Sequence, residues 1–257
     1  MQNSISNMVQ RIVNILAPCT PSIYLYGSVV LDDFKLGWSD IDILVLAQEP
    51  FSKEQANQLV NLRQTMLVDE PGNPYYRAFE GGMLTVNAFL SGELDRVVYW
   101  GTSGERITTR YCFDSFSMCQ LLDSGILLYG DDVRGQMTRP TYSDLKTDVR
   151  CHYEAIRQYA QKAGRDLYSY GWLLDISRCI YTLCTGKIIA KTAAGEWALQ
   201  ENICPCADAL AKAVEVRKDP IKFKNDAHTF DYAETLGDSI QRYADALEYE
   251  LRINGEN

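Results

Sequence analysis

The chain has 257 residues, of which 46% are hydrophobic and 23% charged, a balance that leaves room for one large or two modest domains and excludes a disordered or fibrous chain. Its formal net charge is −9, and residues 1–140 carry 10 Lys+Arg against 16 Asp+Glu; acidity spread this way disfavours a nucleic-acid partner and suits a small cationic one. No apolar run approaches the roughly 20 residues of a membrane-spanning helix, and MQNSISNMVQRIVNIL at the start lacks the features of a secretory signal, so a cytoplasmic protein with no membrane partner is expected.

In chain order, Ile5, Met8, Ile12, Val13, Ile15 and Leu16 fall at helical spacing, which predicts a first helix over 4–16. IYLYG from Ile23 reads as a strand stopped by a glycine turn, and IDILVL from Ile41 as a second strand. Ser52 with Gln55 three residues on is a capping-box pattern opening a helix. The Pro- and Gly-rich stretch 69–76 is a loop, MLTVNAFL at 83–90 a third strand, 113–122 a short helix, and ILLYG at 126–130 an edge strand. The polar run 131–144 marks a boundary. Beyond it 145–163, 167–185, 191–200, 207–217 and 229–252 all read as helical. The expected class is α+β: residues 1–138 as a small mixed sheet flanked by helices, and 139–257 as a helical bundle.

The chemistry concentrates in YGSVVLDDFKLGWSDIDI, residues 26–43. Side chains alternate across a strand, so Asp40 and Asp42 share one face while Ile41 and Ile43 take the other. Two adjacent carboxylates repel unless a cation or base partner neutralises them. Hard oxygen ligands of this kind select Mg²⁺ or Mn²⁺ and can share two ions, an arrangement that serves in-line phosphoryl displacement. Gly27-Ser28, after a strand, can turn backbone N–H groups and a hydroxyl toward phosphate. A capped turn before a half-exposed strand accounts for Asp40 but not for Asp42.

The spacing GS-x10-SDID, Gly27-Ser28 to Ser39-Asp40-Ile41-Asp42, resembles the signature of the DNA polymerase β-like nucleotidyltransferase superfamily. RCIYTLCTGKIIAKTAAGEWAL, residues 178–199, is similar to a segment of the streptomycin/spectinomycin-type aminoglycoside adenylyltransferases. The resemblance implies an N-terminal nucleotidyltransferase domain, and a helical C-terminal domain closing one side of the cleft. It also implies transfer of AMP from Mg-ATP to a hydroxyl of a small cationic, polyhydroxylated drug, with pyrophosphate released. Gly27, Ser28 and Ser39 would then hold the nucleotide's phosphates, Asp40 and Asp42 two Mg²⁺ ions, and Lys191 the triphosphate. Read alone, Lys191 is as well explained as a solvated lysine.

Two departures from the family pattern stand out. Members carry a glutamate on the third strand, as third carboxylate and base; aligning Thr85-Val86 places Met83 there, and the nearest acid is Glu80, before Gly81-Gly82. From the residues alone Glu80 also reads as a solvated loop acid. The family's drug-contacting aromatic and acids have no residue-by-residue match; Trp100-Gly101, Asp166 and Asp175 lie nearby, the two acids reading as helix-surface residues. Met83 keeps open a catalytically silent nucleotide-binding or antitoxin-like module of the same fold; a transferase that modifies a protein is the alternative within the same class.

The remaining candidates carry less. The eight cysteines are scattered, and Cys204-Pro-Cys206 has no second pair or nearby histidine, so reduced thiols are expected rather than zinc or disulfides. His152 and His228 lack partner motifs. Trp172 and Trp197 sit at helical spacing and read as core residues.

Overall fold

In the computed structural model, which describes residues 1–101 and 104–254, the chain divides into two compact units. One comprises Met1–Phe34 and Ser39–Arg139, the other Lys35–Trp38 and Pro140–Asn257. Among the described residues the first unit holds α1 (Gln2–Leu16), β1 (Pro21–Tyr26), β2 (Ile41–Ala47), α2 (Lys53–Asp69), β3 (Phe79–Thr85), α3 (Val86–Ser91), β4 (Val97–Trp100), β5 (Arg106–Thr108), α4 (Ser115–Ser124) and β6 (Ile126–Tyr129).

The described strands form one mixed sheet in the order β5-β4-β3-β2-β1-β6. β2 and β3 run parallel, joined through α2, and the other neighbours are antiparallel. β2 is apolar almost throughout because both of its faces are covered. Ile41, Ile43 and Val45 pack with Phe79, Met83 and Trp100 against Met8 and Ile12 of α1 and Leu59 and Met66 of α2. Leu44 and Leu46 pack with Tyr24, Tyr26, Leu84 and Val97 on the other face, against Leu121 of α4. The helical spacing of α1 is thus the imprint of one sheet face. α2 opens on the expected capping box, Ser52 accepting from the Gln55 N–H and Gln55 accepting from the Ser52 N–H.

The reading of the sheet needs correction in this unit. The third strand runs over 79–85 rather than 83–90; it ends where the Thr85 hydroxyl accepts from the Ala88 N–H and caps α3. β4 and β5 are strands that the sequence reading passed over. Trp100, in β4, is fully buried and donates its indole N–H to the Leu59 carbonyl at 2.9 Å.

The second unit holds α5 (Tyr142–Tyr159), α6 (Tyr168–Thr185), α7 (Lys191–Gln200), α8 (Ala207–Lys218), α9 (Pro220–Phe223), α10 (Ala227–Glu234) and α11 (Gly237–Ile253). The segment expected as one helix over 229–252 is two, because Leu236 sinks into the core in the turn between α10 and α11. α6 is the central helix, with Leu173, Leu174, Ile176, Cys179 and Ile180 all buried. Trp172 and Trp197 are half-buried rather than core residues, Trp197 meeting Tyr181 edge-on. All eight cysteines are free, and Cys204 and Cys206 are buried. No helix among the described residues is long and apolar enough to cross a membrane.

Candidate active site

β1 delivers the chain into Gly27, whose φ of +72° is a left-handed conformation that glycine adopts at little cost. A second reason for glycine is space: a Cβ at this position would lie 1.9 Å from Oδ2 of Asp42. The carboxylate of Asp42 therefore rests directly against the Gly27 backbone. The loop that follows is closed by its own polar groups. Ser28 Oγ donates to the Asp40 carbonyl at 3.1 Å, the Asp33 N–H donates to the Ser28 carbonyl at 2.9 Å, and the buried Ser39 hydroxyl donates to the Asp33 carbonyl at 3.5 Å. Ser28 and Ser39 thus shape the loop that carries Asp40 to the head of β2.

Strand register fixes the rest. Asp42 is paired with Tyr26 on β1 and with Glu80 on β3, and residues directly opposite one another across a ladder point to the same face. Tyr26, Asp42 and Glu80 therefore form a row across three strands. Asp40 and Glu80 also line one pocket of about 240 Å³, together with Arg63, Gln64, Leu67, Arg77 and Gly101. Glu80 is no loop acid: it lies within β3, half-buried, and its Oε1 accepts from the Tyr99 hydroxyl at 2.8 Å. Burial, and then the Glu80 carboxylate, push the Tyr99 phenol up to about 12.

Met83 is a different matter. It pairs with Val45 and is fully buried among Ile43, Phe79 and Leu59, on the face opposite Asp42. The alignment that set Met83 in the place of a third carboxylate is corrected by the parity of β3: position 80 shares the face of Asp42, and position 83 does not.

Arg63, fully engaged, is the pocket's structural cation. It donates to Glu105 Oε1 at 2.6 Å and to the carbonyls of Phe79 and Gly101 at 2.8 and 3.3 Å. Burial raises the Glu105 carboxyl, but hydrogen bonds from Arg63 and Gln64 outweigh it and hold the group below the usual range. Arg77, by contrast, is exposed.

Lys191 belongs to the second unit, at the first turn of α7, where its Nζ stands 2.9 Å from Asp175 Oδ1. Arg178 reaches the same carboxylate at 3.3 Å. Burial pushes Asp175 up, but Lys191 and then Arg178 more than offset this and bring it down to about 2. Asp175 is thus a half-buried partner of two cations and not a helix-surface acid. Asp166 is exposed and accepts from the N–H groups of Tyr168 and Ser169 at the start of α6.

Among the described residues no three His, Cys, Asp or Glu side chains are gathered as a metal cage. Mg²⁺ does not ask for one: it is ordinarily held by one or two carboxylates, with waters and substrate phosphates completing the shell. The all-oxygen pair Asp40 and Asp42 fits that ion by chemistry.

Comparison with known proteins agrees with this layout. Residues 9–74 match the family model described as a nucleotidyltransferase domain, and residues 144–236 match the aminoglycoside adenylyltransferase C-terminal domain. The chain thus carries a nucleotidyltransferase domain followed by an aminoglycoside adenylyltransferase C-terminal domain. Among solved structures it is similar to spectinomycin adenyltransferase AAD(9) from Enterococcus faecialis, determined with ATP and spectinomycin. The TM-score is 0.69 at 19% identity, over 94% of this chain and 97% of that one. At that identity the likeness is one of fold. No curated protein matches the chain. The two matched domains support nucleotidyl transfer as the chemistry.

Tyr99, Arg63 and the Asp175–Arg178 pair went unnoticed in the sequence. For Glu80 a signal was present: Phe79, Gly81 and Met83 alternate with Glu80, Gly82 and Leu84, a strand pattern hidden by starting the strand at Met83.

Proposed function

We propose that the protein transfers AMP from ATP to a hydroxyl of an aminoglycoside-like antibiotic and releases pyrophosphate. The observation that carries this is the adjacency of Asp42 and Glu80 on one sheet face, with Asp40 and Glu80 lining one pocket. In the reaction the acceptor oxygen forms a bond to the α-phosphorus, the bond from that phosphorus to the bridging oxygen breaks, and the electron pair leaves with pyrophosphate. Glu80 takes the acceptor's proton. Asp40 and Asp42 would hold the Mg²⁺ ions, two by the resemblance, and the metal would supply neutralisation of the phosphate charge. Gly27 lets the chain turn so that backbone N–H groups after β1 face phosphate.

The acceptor is a small polyhydroxylated cation. The net charge of −9 favours such a partner, and spectinomycin, bound in the related adenyltransferase structure, is the first to test. The assay is pyrophosphate release by purified protein with Mg-ATP and a panel of aminoglycosides that includes spectinomycin and streptomycin, with the product weighed by mass spectrometry. Release that depends on one drug, and a drug heavier by one adenylyl group, is the expected result. Tight ATP binding with no release for any acceptor contradicts the proposal.

A further inference from the structure

Glu80 sits on a strand with two glycines after it, and a half-buried glutamate has enough rotamer freedom to miss a substrate hydroxyl unless something holds it. β4 provides that hold. Tyr99 is paired with Gly82 in the β3–β4 ladder, so its ring lies over the same face as Glu80, and its hydroxyl donates to Glu80 Oε1 at 2.8 Å. The ring is fixed from two sides: the Arg106 guanidinium stacks over it at 4.5 Å, and the Tyr111 ring lies 6.3 Å away. Glycines clear the room these groups occupy. A Cβ on residue 101 would lie 2.2 Å from the Tyr99 hydroxyl, and one on residue 82 would lie 2.3 Å from the Tyr111 ring.

We propose that Tyr99 is the positioning residue of the transfer reaction, its hydroxyl pinning one oxygen of Glu80 so that the other faces the acceptor. The inference rests on the reading of Glu80 as the proton acceptor. One donor fixed on one carboxylate oxygen orients the group without taking up both of its oxygens, and Arg106, Tyr111, Gly82 and Gly101 surround the Tyr99 ring and hydroxyl that make the contact. Tyr99 touches neither acceptor nor nucleotide in this role, so its loss lowers turnover and leaves substrate binding alone.

The test compares wild type, Tyr99→Phe, Glu80→Gln and the double variant, with spectinomycin and streptomycin as acceptors and Mg-ATP as donor. Tyr99→Phe removes one oxygen and keeps the ring. It is expected to lower kcat about tenfold or more, the scale of one hydrogen bond to a charged group, with KM for ATP and for drug within about twofold. Glu80→Gln falls by about a hundredfold or more, and adding Tyr99→Phe to it costs nothing further. Gly101→Ala, which keeps both side chains but sets a methyl against the hydroxyl, reaches the same contact by a second route and lowers kcat likewise. Wild-type kcat in Tyr99→Phe, beside an inactive Glu80→Gln, overturns the role of Tyr99 and spares that of Glu80. An equal fall in both backgrounds assigns Tyr99 to general stability and overturns it too. Undiminished turnover in Glu80→Gln removes the base reading itself, and a wild type that adenylylates neither drug removes the proposed function before any variant is compared.

Discussion

The carboxylate of Asp42 has two neighbours that a sequence shows only as spacing: Gly27, whose backbone it rests against, and Glu80, opposite it across β2 and β3. Gly27→Ala meets two penalties, a left-handed backbone at φ +72° and a Cβ 1.9 Å from a carboxylate oxygen. Destabilisation of about 1–3 kcal/mol is expected, measured by urea unfolding, together with loss of transfer. Asp42→Asn behaves in the opposite way. An amide keeps the shape, removes one of two neighbouring negative charges, and should abolish transfer while leaving the metal-free melting temperature unchanged or raised. A fall of several degrees on melting without metal would mean that the carboxylate is structural. Met83→Glu separates the two faces of β3. With Met83 buried in the apolar core, a glutamate there brings an uncompensated charge or a costly neutral acid, so the variant should lose several kcal/mol of stability and gain no activity.

At the level of elements, what was legible followed physical periodicity, and what was missed lacked it. α1 and α2 announced themselves by apolar spacing and by the Ser52–Gln55 box, and α7 is bounded at 191–200 as its composition indicates. β3 was misplaced because Gly81-Gly82 breaks the visible alternation and because the Thr85 cap on α3 looks like a continuing strand. β4 and β5, four and three residues long, are too short to carry a pattern; their pairing with β3 is a tertiary fact. The same holds for Asp175, whose partner Lys191 lies on the next helix. This pair makes a pH prediction. The folded Asp175 carboxyl is depressed to about 2, so its contribution is present above the unfolded value near 4 and is lost as the pH falls from about 4 to 2. It amounts to about 2 kcal/mol. Unfolding free energies from urea titrations of wild type and Asp175→Asn should differ by that order at pH 6 and converge toward pH 2; a constant difference would contradict the ion pair.

For the molecule as a whole, the sequence shows a mixed-sheet segment followed by a helical one, and the matching models, a nucleotidyltransferase domain and an adenylyltransferase C-terminal domain, fall one in each. GS-x10-SDID was readable because its residues lie on one loop and one strand. Glu80 and Tyr99 were not, because they reach the site through the order of strands in the sheet. The silent-module reading rested on Met83, and the face that Met83 occupies removes its support. The central claim is that Asp42 and Glu80 act together in adenylyl transfer, and one measurement addresses it directly: transfer of label from α-³²P-ATP to spectinomycin or another aminoglycoside, by wild type and by Asp42→Asn and Glu80→Gln, each confirmed as folded. The account predicts labelled drug from the wild type and at most about a hundredth as much from either variant; unlabelled drug from a wild type that binds Mg-ATP, or undiminished labelling by either variant, would contradict it.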